Sequence, residues 1–144
     1  MSDELVDVSE IADRMVGLPV YKAWRGVGTM MNLDIGAWDN AKNRSDITLW
    51  VKDAVWRLDA DDLYVANNFS CSHETIDAAL GGLTGLAVAG VEVSALGVVV
   101  IDFKPSRLTV FPVHGRRDNW WLRATGWSAT SGPSGRFSVE KVDE

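Results

Sequence analysis

Leu96-Gly97-Val98-Val99-Val100-Ile101-Asp102-Phe103, followed after four residues by Leu108-Thr109-Val110-Phe111-Pro112-Val113, is the stretch that decides the fold class. Val98 to Ile101 are four consecutive β-branched residues with no polar residue at helical spacing, which reads as a strand. Because both faces are apolar, the segment is expected to be a central strand covered on both sides. Asp102 shares a strand face with Val98 and Val100, and marks the exit from the core. In the second segment Leu108, Val110 and Pro112 alternate with Thr109, Phe111 and Val113; Pro112 predicts a sheet edge or a strand end.

Period-two patterns extend upstream. Thr29, Met31, Leu33 and Ile35 alternate with Met30, Asn32 and Asp34, and Ile47, Leu49 and Val51 alternate with Thr48, Trp50 and Lys52. Both read as strands with one buried face. Phe137 and Val139 predict one last strand. Two segments have helical spacing instead: Leu5, Val8, Ala12 and Met15, then Ile76, Ala79, Leu80 and Leu83. Ser70 or Ser72 would cap the second and Gly81-Gly82 would stop it. Both helices are short and need a sheet to pack on. The predicted class is α+β: antiparallel β-meanders forming one large or two related sheets, with two short helices.

The chain echoes itself. Val16-Gly17-Leu18-Pro19-Val20 resembles Thr84-Gly85-Leu86-Ala87-Val88, each just after a helical segment. Ile47-Thr48-Leu49-Trp50 parallels Leu108-Thr109-Val110-Phe111, and Val55-Trp56-Arg57-Leu58 roughly matches Trp120-Trp121-Leu122-Arg123. These echoes predict pseudo-repeats over residues 5–68 and 72–140 within a single domain, 1–144. No polar segment is long enough to be an interdomain linker. Polar loops are expected at Gly36–Ser45, at the tight turn Asp59-Ala60-Asp61-Asp62, and at Ser128–Gly135.

With 144 residues, 47% hydrophobic and 24% charged, the composition is that of one globular domain. Its 14 basic and 20 acidic side chains give a net charge of −6, which argues against a nucleic-acid or anionic-membrane binder. The acidic start, MSDELVD, lacks the layout of a secretory signal. The most apolar stretch, Ala78–Ile101, carries five glycines, and its 14-residue uncharged run before Glu92 is too short to span a bilayer. A cytoplasmic location is expected, and on that reading the sequons at Asn43 and Asn68 are chance matches. One cysteine, Cys71, excludes an internal disulfide.

No catalytic constellation stands out. Cys71 and His73 are two apart at a helix start and would not face each other on it, although a helix N-terminus would lower the thiol pKa. Two histidines without a patterned third ligand make no metal site. Neither a phosphate-binding loop nor a dinucleotide fingerprint is present, so no catalytic, metal-binding or cofactor-binding residue is assigned and no cofactor is expected. The segment His114–Arg123 mixes arginine with tryptophan as single-strand nucleic-acid grooves do, but on an acidic chain it reads as a hairpin loop entering a buried strand.

Two features point to binding. Seven tryptophans in 144 residues are above ordinary usage; core and sheet-surface packing accounts for tryptophans in strands, while any that are exposed would serve as interface anchors, because aromatics dominate binding hot spots. Trp38, between Gly36 and Asp39, is the first candidate and Trp50 the next. Charge is also uneven: residues 1–100 hold 7 basic and 15 acidic side chains, net −8, whereas 101–144 are net +2. Asp53, Asp59, Asp61 and Asp62 crowd into ten positions, a patch able to steer a basic partner.

The C-terminal pattern is carried by Leu83-Thr84-Gly85-Leu86, Val98–Phe103, Leu108–Val113, Asn119-Trp120-Trp121-Leu122 and Gly132–Phe137. It resembles small bacterial immunity-type and related uncharacterised β-rich proteins of polymorphic-toxin systems, over residues 80–140. The resemblance implies a compact cytoplasmic binder that neutralises a cognate toxin by occluding its active site. Such proteins share no universal binding motif, so it assigns no residue.

The expectation is therefore a non-enzymatic, protein-binding inhibitor of the immunity type, with a basic protein partner held by Trp38, Asp59, Asp61 and Asp62. A self-associating structural or accessory domain, pairing as a homodimer through an apolar sheet surface, is the alternative. A small-ligand-binding sheet lined by tryptophan is a third reading.

Overall fold

The computed structural model describes residues 3–113, 117–132 and 136–143. Along the chain run α1 (Asp3–Asp13), β1 (Val20–Arg25), β2 (Met31–Asp39), β3 (Arg44–Val51), β4 (Ala54–Ala60), β5 (Leu63–Asn67), α2 (His73–Gly81), β6 (Gly90–Val93), β7 (Val99–Asp102), β8 (Ser106–Pro112), β9 (Trp120–Ala124), β10 (Trp127–Ser131) and β11 (Phe137–Lys141). The class is α+β and mostly β. A six-stranded sheet is ordered β1-β2-β3-β9-β10-β11 and a five-stranded sheet β5-β4-β8-β7-β6, with all pairs antiparallel.

The two sheets share one core. Leu33, Leu49, Leu122 and Ala129 line the inner face of the first, and Trp56, Val99, Ile101 and Val110 that of the second. The helices close the open sides of this sandwich: α1 packs against the edge strands β6 and β11, and α2 against β1 and β5. Their burial follows the spacing read from the sequence, with Leu5, Val8 and Ala12 buried on α1, Met15 buried in the turn just after it, and Ile76 and Leu80 buried on α2. Ser72 is the N-cap of α2, its hydroxyl accepting from Thr75 N at 3.2 Å. Among the described residues no helix is long and apolar enough to cross a membrane.

The expected central strand is corrected. Strand β7 lies next to the edge, and the middle of its sheet is β8. Val99 and Ile101 are buried, while Val98, Val100 and Asp102 are half-buried on the outer face of the sheet. Valine on that face follows strand preference rather than two-sided burial. Pro112 ends β8, where a missing N–H costs no ladder bond.

The chain enters both sheets twice in the same way. Strands β1-β2-β3 form half of the first sheet, the two-residue connection Lys52-Asp53 crosses over, and β4-β5 join the second. Then β6-β7-β8 form the rest of the second sheet, the chain crosses back, and β9-β10 complete the first, with β11 added at its edge. The approach segments meet about a two-fold axis at the Pro19–Ala87 bridge. Gly17 N–H donates to Val88 O at 2.8 Å and Gly85 N–H to Val20 O at 2.9 Å; Val20 N–H donates to Leu86 O at 2.8 Å and Val88 N–H to Leu18 O at 2.9 Å. Gly17 and Gly85 have φ of 88° and 87°, the left-handed region that favours glycine.

Candidate functional site

The expected loop at Gly36–Ser45 is mostly strand. β2 continues through Gly36 to Asp39 after a register shift, β3 begins at Arg44, and only Asn40–Asn43 turn. Gly36 sits at φ 91°, and a Cβ there would stand 2.4 Å from Asp46 Oδ2, so only glycine lets the strand pass. Asp46 in turn accepts from Ala37 N at 2.8 Å. Trp38 is therefore a strand residue paired with Ser45, half-buried and stacked on Tyr21 with ring centroids 5.1 Å apart and planes 16° apart. Its surroundings are polar because this end of the hairpin faces water.

Asp59 is the penultimate residue of β4 and ion-pairs with Arg57, Nη2 to Oδ1 2.9 Å. Asp61 and Asp62 form the two-residue β4–β5 turn with φ of 52° and 62°, as a primed hairpin turn demands. The turn is tied to the neighbouring β7–β8 hairpin by Asp61 N–H donating to Pro105 O at 3.2 Å. Register places Asp102, Arg107 and Asp59 side by side across β7, β8 and β4. Asp59, Asp62, Asp102, Pro105 and Arg107 thereby line a cleft of about 160 Å³. A shallow groove of about 480 Å³ adjoins it, sharing Asp102 and Arg107 and floored by Gly90, Val100 and Thr109. Asp53 does not join this group, because it lies in the β3–β4 crossing at the opposite end of β4.

The structure thus gathers Asp59, Asp61 and Asp62 and adds Asp102 and Arg107, but places Trp38 on the other sheet. Both features lie at the end of the sandwich away from the β3–β4 crossing, since β3 runs towards that crossing and β4 away from it. Asp102 was legible as leaving the core; its meeting with Asp59 needed the strand order.

Trp24, Trp50 and Trp121 form an outward-facing row on the six-stranded sheet, Trp24 and Trp50 flanking Asn32. Trp50 and Trp121 meet edge to face at 6.3 Å. Lys22 and Lys52 hold their ammonium groups over the Trp24 and Trp50 rings at 4.8 and 4.5 Å from the centroids. Beside them, two residues along each strand on the same outer face, a buried polar network crosses the strands. Thr48 Oγ1 donates to Asp34 Oδ1 at 2.9 Å and accepts from Arg123 Nη2 at 3.2 Å, and Arg123 Nη2 also donates to Ser45 O at 2.6 Å. Of the arginine-tryptophan segment read from the sequence, residues 114–116 lie outside the described residues, and Trp120 to Arg123 belong to β9.

Cys71, half-buried before the N-cap, has its Sγ 3.1 Å from the Tyr64 hydroxyl; Asn67 Nδ2 donates to that same hydroxyl and to Ser70 Oγ. The Tyr64 hydrogen bond, and after it an Asn67 backbone hydrogen bond, hold the thiol below its ordinary pKa; burial opposes them, and a Ser70 hydrogen bond adds the least. The tyrosine is raised in return, chiefly by the same contact. Alkylation of Cys71 by iodoacetamide should therefore reach half its maximal rate below the pH usual for a free thiol, and Tyr64→Phe should move that midpoint upward. An unmoved midpoint in a pH–rate series would show that the tyrosine does not tune it. Asn68, of the second sequon, is engaged inward, donating to Ala54 O at 2.7 Å and accepting from Trp56 N at 2.9 Å. Among the described residues no three histidine, cysteine or acidic side chains are placed to hold a metal ion.

No family model matches the chain, and no curated protein and no solved structure matches it either.

Proposed function

We propose that this is a non-enzymatic inhibitor of the immunity type, which holds a basic partner against the acidic end of the sandwich and occludes it. The observation that carries the reading is the cleft lined by Asp59, Asp62 and Asp102 together with Arg107, brought together from the β4–β5 and β7–β8 hairpins, with Asp59 also paired to Arg57. Asp61 stands beside it at the turn tip and is exposed. Such an excess of negative charge attracts lysine and arginine side chains and speeds encounter. The Tyr21–Trp38 stack at the same end offers a rigid aromatic anchor, Tyr21 being largely exposed. Inhibition would need no chemistry, only a bound surface that covers the partner's own site.

The test is capture of a partner from source lysate by the wild-type protein and by an Asp59→Asn/Asp61→Asn/Asp62→Asn/Trp38→Ala variant. One stoichiometric basic protein is expected, released as salt shortens the screening length to about 10 Å at 0.1 M. The variant should bind it at least about tenfold more weakly, the loss of some 1.4 kcal/mol. Equal capture by the variant would remove the acidic end from the interface.

A second reading, self-association, is favoured by β5. This edge strand leaves Leu63 71% exposed, with Tyr64 and Val65 also open, and α2 covers only part of its length. Light scattering separates the two: a stable dimer without partner supports self-association, a monomer the inhibitor.

A further inference from the structure

We propose that the two halves of the chain, residues 1–69 and 70–144, recognise each other as unlike subunits do, so that each half has the other, from the same or a second copy, as its only fitting partner. Each half is unfinished alone. The first supplies the meander β1-β2-β3, whose β3 edge is completed only by β9, and the hairpin β4-β5, whose β4 edge is completed only by β8. A lone hairpin is marginal in water, and the first half's own helix α1 packs mainly on β6 and β11 of the last half rather than on its own strands.

The joints between the halves repeat. Thr48 stands opposite Arg123 across β3 and β9, and Thr109 stands opposite Arg57 across β8 and β4. The four backbone bonds about Pro19 and Ala87 are likewise two-fold related. These features alone would let a half pair with a copy of itself.

The core forbids it. When the Thr–Arg pairs are superposed, Trp56 takes the place of Leu122 and Trp120 the place of Ala54. Opposite Leu49 the native partner is Leu122, and opposite Val51 it is Trp120. A second copy of the first half would instead bring Trp56 against Leu49 and Ala54 against Val51, crowding one layer and emptying the next. A second copy of the last half would err in the opposite sense, with Leu122 in place of Trp56 and Trp120 in place of Ala54. Both indoles are fully buried, so neither misfit is relieved by turning the ring to solvent.

The experiment uses the full chain with a protease recognition sequence inserted after Phe69, an exposed residue of the β5–α2 connection. The chain is folded, cut, and then unfolded and refolded together with an isotope-labelled cut sample. Native mass spectrometry is expected to show only complexes of one first half with one last half, labelled and unlabelled halves mixing in statistical proportion, with near-UV circular dichroism restored. Like-with-like pairs at comparable abundance, or halves that part on cutting and do not recombine, would overturn the proposal. A circular permutant opened at the same junction, its old termini joined by a flexible linker, is the second variant. It should keep the near-UV spectrum, and failure of both this permutant and the uncut insertion variant to fold would also overturn it.

Discussion

Replacing either Trp56 or Trp120 by alanine is expected to lower the unfolding free energy by about 3–5 kcal/mol, the range for deleting a large buried aromatic. Both side chains have 0% exposure. Each also spends its indole N–H on the hairpin of its own half: Trp120 Nε1 donates to Gly97 O at 2.9 Å, and Trp56 Nε1 to Thr29 O at 3.4 Å. The bonds run between sheets, so alanine removes packing volume and a strut at once. Whole-domain stabilities are about 5–15 kcal/mol, so one substitution leaves a marginal fold and the pair leaves none. Denaturant unfolding followed by far-UV circular dichroism reads the effect without depending on the deleted fluorophore. Trp127, only half-buried at the core margin, serves as the control and should lose distinctly less on the same change. A cost below about 1 kcal/mol at Trp56 or Trp120 would mean that the cavity collapses around the loss.

The same two tryptophans show what was legible in the sequence. Alternation at Thr29–Ile35 and Ile47–Val51 assigns the buried faces of β2 and β3 directly, because side-chain direction on a strand depends only on parity. Helical spacing does the same for α1 and α2. Strand order depends on pairing between distant segments, and no local pattern encodes it. Hence Val98–Ile101 reads as a covered central strand although β8 holds that place, and Asp53 reads as a neighbour of Asp59 although β4 separates them. The match of Val55–Leu58 with Trp120–Arg123, in register by residue type, is off by one. An odd offset would set outward Val55 against buried Trp120, while cross-strand register aligns Arg57 with Arg123. The acidic residues of the candidate site were visible as composition. The cleft was not, since Asp102 and Arg107 reach it only through the β7–β8–β4 pairing.

Arg123→Met and Arg57→Met should differ, although the two arginines hold equivalent register positions opposite threonine. Arg123 is 9% exposed and is joined through Thr48 to Asp34, itself 4% exposed. Removing the cation leaves the Ser45 carbonyl and the Thr48 hydroxyl without their buried donor and takes a positive charge from near the Asp34 carboxylate, a loss of about 1–3 kcal/mol. Arg57 has half of its side chain in solvent, where it meets Asp59 and lies 5.2 Å from the Tyr64 ring centre. An exposed pair of this kind is worth about 0–1 kcal/mol. The difference arises one strand away: the position occupied by Asp34 on β2 is Val100 on β7, so the second sheet has no buried acid for its arginine to serve. A double-mutant cycle with Asp34→Leu separates the causes. If the carboxylate is what suffers, Arg123→Met/Asp34→Leu should be less destabilised than Arg123→Met alone, because both charges leave together. Additive losses would assign the cost to packing of the arginine stem instead.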